Sequence, residues 1–252
     1  MITRTLFMAL AAASFATAAC NAEKGADKAA TTSGPVKPVA PPKDGDWTTV
    51  VSQTGAGGFL MGNPNASAKL VEFGSMTCPH CAEFDEEAMK PLVDTYVKTG
   101  KVSLEFRNFV RDPFDVAASL VARCGGTTSF FGLTRGLYAD QSDWVSKIQK
   151  ADPAAMQRIQ TLPPNQQFGE IAKIAGFQEW AAMRGLPPEK TAACLANQSE
   201  VDRLVQMQND AISAYDIPGT PSFLLNGELV KIEPGSTPWR QVEAKIKGAL
   251  GG

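Results

Sequence analysis

The chain has 252 residues, 44% of them hydrophobic and 20% charged, with a formal net charge of −2. That composition supports a globular core, as one domain with an insertion or as two small domains. Lysine and arginine are scattered along it, so no basic surface for nucleic acid is expected.

The first 20 residues read as an export signal. Arg4 supplies the positive start, and "LFMALAAASFATAA" is an apolar run that closes on small residues. It is too short to span a membrane. The ending "ATAAC" resembles the lipobox of bacterial lipoproteins, in which the cysteine, here Cys20, is lipidated and becomes the first residue of the mature protein. Thr17 stands where that pattern usually has leucine, and simple secretion with cleavage near Ala18 or Ala19 is the alternative. Both routes lead to an oxidising compartment outside the cytoplasm, the periplasm, with Cys20 as the membrane anchor on the first route. Residues 21–46 hold almost no aromatic or large aliphatic side chains and end in "GPVKPVAPPKDGD", so they are expected to form a disordered tether reaching roughly 30 Å.

Order is expected to begin near Trp47. "WTTVV" and "GFLMG" are short apolar pieces, and "AKLVEF" at 68–73 has the bulk on both faces that a central strand needs. Cys81, Phe84, Ala88, Leu92 and Tyr96 then recur at helical spacing, with a kink expected at Pro91 and an end before Gly100. "VSLEFR" at 102–107 alternates as a second strand, so strand, helix and strand form a crossover unit with parallel strands. From Asp112, where "DPF" is a helix start, to about Asn197 only helical periods occur. Residues 200–215 form an amphipathic helix with Val201, Leu204, Val205, Gln208, Ala211, Ile212 and Tyr215 along one stripe. "PSFLL", the turn pair Asn226-Gly227 and "ELVKI" at 228–232 read as a type I′ hairpin, and "TPWRQVEAKIKGAL" as a closing helix.

Five cysteines and one histidine are the scarce reactive groups, and the stretch "MTCPHC" at 76–81 gathers three of them. Two cysteines separated by two residues suit either a zinc knuckle or a redox pair. Structural zinc needs four ligands, yet there is no second such pair, His80 lies between the cysteines, and Cys124 and Cys194 are distant. No metal and no cofactor are therefore expected. Cys78 follows a strand and a short turn and precedes a helix, which puts its sulfur at a helix N-terminus, where unpaired N–H groups favour an anion. Such sites lower a cysteine pKa from ~8.5 into a range of ~3.5 to 7.5. His80, if protonated, adds a second positive field; an exposed turn residue without a role is the alternative. Favouring the thiolate stabilises the reduced pair, so the disulfide becomes the stronger oxidant. Cys81, one turn into the helix, is expected to be buried and to release a trapped partner by attacking Cys78.

The "CPHC" of Cys78, Pro79, His80 and Cys81, the strand "LVEF" leading into it, the acidic run after it, the helical segment and "GTPSFLLNG" together resemble the DsbA-like branch of the thioredoxin superfamily, in an alphaproteobacterial type of member. The likeness covers about residues 47–250. It implies an α/β thioredoxin fold with an inserted helical domain: 47–110 plus 200–252 as the thioredoxin-like unit and 111–199 as the insertion. It implies thiol-disulfide oxidoreductase activity in the periplasm, with Cys78 as nucleophile and Cys81 as resolving cysteine. Thr220-Pro221 matches the dipeptide whose cis-proline faces the active disulfide and whose preceding residue meets an extended substrate. Glu72 matches an acidic residue beneath the site that could exchange a proton with Cys81; a glutamate satisfied by backbone is the alternative. Cys124 and Cys194 look like the extra disulfide of a subgroup, with a second redox couple or two free thiols as alternatives.

Partners implied are reduced or unfolded exported proteins and a membrane thiol oxidase that restores the disulfide. An isomerase or reductase kept as the dithiol is the nearest rival. Isomerases of this superfamily usually carry a folded dimerisation module ahead of the thioredoxin unit; a tether in that place favours a monomeric oxidase. Copper delivery, or a non-catalytic anchored scaffold, is the reading of another class, but copper delivery wants a longer cysteine spacing and a distant histidine.

Overall fold

A computed structural model describes residues 39–252. The export signal, Cys20 and most of the tether lie outside the described residues. The chain settles at Asp46, whose carboxylate caps a 3₁₀ turn at Trp47–Thr49 by accepting from the Thr48 N–H. Trp47 is buried against Gly100, where a Cβ would come within 2.5 Å of the indole nitrogen. Gly100 also has φ +74°, so size and conformation both require glycine there.

Among the described residues one sheet holds six strands: β1 (Val51–Gln53), β2 (Phe59–Gly62), β3 (Ala68–Gly74), β4 (Val102–Asn108), β5 (Ser222–Leu225) and β6 (Glu228–Leu229). Their order is β1-β2-β4-β3-β5-β6, and only the β3–β4 pair is parallel. That pair forces a crossover, which α1 (Pro79–Pro91) supplies. Pro91 shows as a change of pitch: helical backbone continues as a π turn over Leu92–Val97, with Lys98 N–H donating to the Val93 carbonyl five residues back.

Alternation along β3 divides the core. Ala68, Leu70 and Glu72 face the large apolar cluster that includes Cys81, Phe84 and Leu92, whereas Val71 and Phe73 face a smaller one with Phe109, Ala211 and Leu224. The large cluster continues from the sheet into α2 (Pro113–Cys124), α3 (Gly126–Ala139), α4 (Gln141–Gln149), α5 (Pro153–Gln160), α6 (Pro164–Ala175), α7 (Phe177–Ala182) and α8 (Pro188–Leu195). Burial of Phe130, Trp144 and Phe177 in that cluster means the helices between β4 and α9 (Gln198–Tyr215) share the sheet's core. The chain ends with α10 (Pro238–Ala249).

Two expectations are corrected. On α9 the buried stripe is Val201, Leu204, Met207 and Ala211, while Val205 and Ile212 are 44% and 47% exposed. Met207 wins its place because it packs over Gly57, where a Cβ would lie 2.9 Å from its sulfur. The hairpin turn has positive φ at both Asn226 and Gly227, as type I′ requires, but pairing on the far side stops at Glu228–Leu229 plus the Val230 N–H to Phe223 carbonyl bond. In that register Ile232 would face Pro221, which has no N–H to offer, so "ELVKI" cannot complete a five-residue strand.

Candidate active site

Cys78 is the N-cap of α1, in extended conformation, and Pro79 occupies the first helical position, where a missing N–H costs nothing. The Cys78 carbonyl accepts from the Cys81 and Ala82 N–H groups, and no side-chain cap competes with the sulfur for the helix end. Both cysteines are free thiols, so the structure is that of the dithiol form. Cys78 is only 2% exposed, and its Sγ lies 3.2 Å from the Thr220 carbonyl oxygen, next to the cis Thr220-Pro221 bond. The loop bearing Thr220 and the start of α1 thus meet at the sulfur.

The two thiols are pushed apart in acidity. The Cys78 pKa falls to about 5, first because the Cys81 thiol donates to its sulfur, then through the Thr220 side chain, the Cys81 N–H and the field of Arg111; burial opposes the shift. Cys81 is raised well above the usual thiol range by its own burial and by giving its proton to Cys78. One sulfur is therefore held as an anion at neutral pH and the other as its proton donor.

Beneath them, Glu72 is 3% exposed and stands in register with Phe106 on β4 and Phe223 on β5, so aromatic neighbours strip it of water. Burial drives its pKa well above the carboxylate range, with the fields of Asp85 and Cys78 adding to the rise. Its Oε1 has no hydrogen-bond partner among the described residues, and nor does the Tyr138 hydroxyl. A protonated acid resolves the cost of that burial and keeps a proton close to the cysteines. Gly74 ends β3 because a Cβ there would come within 2.5 Å of the Phe106 ring and 2.9 Å of the Tyr138 hydroxyl.

His80 points outward, its side chain 72% exposed, with Nδ1 2.8 Å from Glu83 Oε2. Its pKa is raised chiefly by that hydrogen bond, so Glu83 holds the imidazole toward its charged form. Cys124 and Cys194 are bonded, joining the end of α2 to α8 across 70 residues. Among the described residues no three His, Cys, Asp or Glu side chains are grouped to hold a metal ion.

Four residues around the site give no sequence signal. Arg111 reaches the cysteine turn with Nε on Ser75 Oγ at 3.0 Å and Nη2 on Thr77 Oγ1 at 3.1 Å. Asp115, fully buried in the first turn of α2, accepts from the Ser75 hydroxyl and from the Met76 and Arg111 N–H groups, and its pKa rises to about 7 through burial. Gln141 donates its amide to the Met76 and Cys78 carbonyls. Asp85 on α1 turns inward, 3.6 Å from Arg135, and burial lifts its pKa to about 6. In the sequence "DPFD" reads fully as a helix cap and Asp85 as part of an acidic helix face; a glutamine opening a distant helix carries no mark at all.

A family model described as thioredoxin matches residues 54–246. The chain belongs to the thioredoxin family. This thioredoxin-family protein is similar to the protein-disulfide isomerase of Novosphingobium aromaticivorans, with 33% identity, a TM-score of 0.70, and coverage of 77% of this chain and 97% of that one. Its fold, a thioredoxin unit carrying inserted helices, is also that of Wolbachia pipientis alpha-DsbA1, at 21% identity and a TM-score of 0.59 over 76% of this chain and 90% of that one. It is 28% identical over 169 residues to a Rickettsia bellii protein named "Putative protein-disulfide oxidoreductase", covering 67% of this chain and 57% of that protein. The chain thus spans little more than half the length of the curated relatives it matches.

Proposed function

We propose that this protein is a thiol-disulfide oxidoreductase that donates its Cys78–Cys81 disulfide to exported proteins. The observation that carries the reading is the pairing of an acidic sulfur at the α1 N-terminus with a buried, proton-holding one a turn later. A substrate thiolate attacks Cys78 Sγ and forms a mixed disulfide, while the Cys78–Cys81 bond breaks and Cys81 leaves with the electron pair. Glu72, protonated and beneath it, is the proton source for that sulfur. A second substrate thiolate then attacks the substrate's own sulfur in the mixed disulfide, and Cys78 leaves as the stable thiolate, so two electrons pass to the protein. Thr220 and Pro221 meet the extended substrate at the sulfur. A membrane thiol oxidase removes the two electrons again. The full placement is a monomer in the periplasm, tethered by residues 21–46 to a lipid on Cys20, with the helices of 111–199 as the insertion.

The second reading, an isomerase or reductase kept as the dithiol, is favoured by the likeness to the Novosphingobium aromaticivorans protein-disulfide isomerase. Rapid acid quench of unstressed cells followed by thiol labelling separates them. The oxidase reading predicts Cys78 and Cys81 mostly as the disulfide; finding them mostly reduced would move the assignment to the isomerase or reductase.

A further inference from the structure

The turn carrying the nucleophile is gripped from the helices between β4 and α9. Gln141, the first residue of α4, is 9% exposed, and its Nε2 donates to the Met76 carbonyl at 2.7 Å and to the Cys78 carbonyl at 3.0 Å. Two carbonyl acceptors admit only the NH2 end of the side chain, so its orientation is fixed by chemistry. On the other side of Met76, its N–H donates to Asp115 on α2 at 2.8 Å. The start of α4 is itself immobilised, because Asp140 accepts from Trp180 Nε1 at 2.7 Å and Arg184 Nη2 at 2.8 Å.

We propose that Gln141 is a positioning residue of the redox centre: through the Met76 and Cys78 carbonyls it sets how readily the Cys78–Cys81 disulfide is reduced. The inference rests on the redox role proposed above for these two cysteines. A carbonyl oxygen beside an anionic sulfur repels it, and the Cys78 carbonyl lies only a few bonds from its own Sγ. The Gln141 amide, with the Cys81 and Ala82 N–H groups on the same oxygen, turns that oxygen's negative charge toward donors. The same two bonds hold the turn so that Sγ stays at the helix end, where the free N–H groups face it. Both effects favour the anionic, reduced state over the disulfide.

The test equilibrates the purified full chain with glutathione buffers and reads the reduced fraction. Gln141→Met keeps length and apolar bulk but removes both donors. It is expected to lower the equilibrium constant for reduction by about threefold to tenfold, or ~15 to 30 mV at 29.6 mV per tenfold, and to raise the Cys78 titration midpoint. Gln141→Asn keeps the donors but withdraws them by one methylene; it should give a smaller shift in the same direction and serves if the methionine variant fails to fold. Unchanged equilibrium constants, with the oxidised and reduced forms destabilised equally, would reduce Gln141 to a packing residue and overturn the inference. Failure of the unsubstituted protein to exchange with glutathione at all would instead overturn the redox reading of Cys78 and Cys81.

Discussion

Replacing Cys78 by serine is expected to reduce insulin reduction and the refolding of reduced ribonuclease to background, with the fold of the protein intact. Serine is close to cysteine in size, and the contact of Cys78 with the Thr220 carbonyl can be kept by a hydroxyl. What serine cannot supply is an anion at neutral pH, the form that attacks and leaves in disulfide exchange. Cys81→Ser has a different expected outcome. The Cys78 thiolate survives and still attacks disulfide-bearing proteins, but the buried thiol that would attack Cys78 back and release the trapped partner is gone, so covalent complexes with such proteins should accumulate and be visible on non-reducing gels. Full activity in the Cys78 variant would remove that residue from the mechanism.

The second large effect concerns stability. Changing Cys124 and Cys194 together to serine is expected to lower the free energy of unfolding by about 4 kcal/mol, the chain-entropy value for a loop of this length. The bond closes 70 residues, running from the end of α2 to α8, and so restrains most of the helical segment in the unfolded chain. Urea unfolding of both proteins, each with its active-site pair in the same redox state, reads the difference directly. A loss under ~1 kcal/mol would mean that the unfolded chain is already compact there.

Much of the fold is legible in the residues because local pattern and tertiary role agree. "AKLVEF" is apolar on both faces because β3 separates two clusters, and the alternation that defines the strand also aims Glu72 at the cysteines. The cysteine spacing places Cys78 at a cap and Cys81 one turn inside, a relation fixed by helix geometry alone. Where the pattern misleads, the reason is packing. Val205 and Ile212 have the right period for a buried stripe, yet α9 rests on Leu204 and Met207 and leaves them in solvent. The tuning of the sulfur is the least legible part. His80 is conspicuous in the sequence but faces outward to Glu83, whereas Arg111, Asp115 and Gln141 reach the turn from segments 30 or more positions away. No local signal announces such contacts, because they exist only once the helices fold back on the sheet.

Ionisation of the Cys78 sulfur at neutral pH by its surroundings carries a definite pH sign. A folded pKa of about 5 lies below the ~8.5 of an unfolded cysteine. The stability this lends the reduced form is therefore fully present above ~8.5 and is lost as pH falls through about 5. The direct measurement is a titration of the reduced protein followed by thiolate absorbance, with Cys78→Ser as the blank. A midpoint near 5, missing in the blank, is the predicted result; a midpoint near that of an ordinary cysteine would contradict the account.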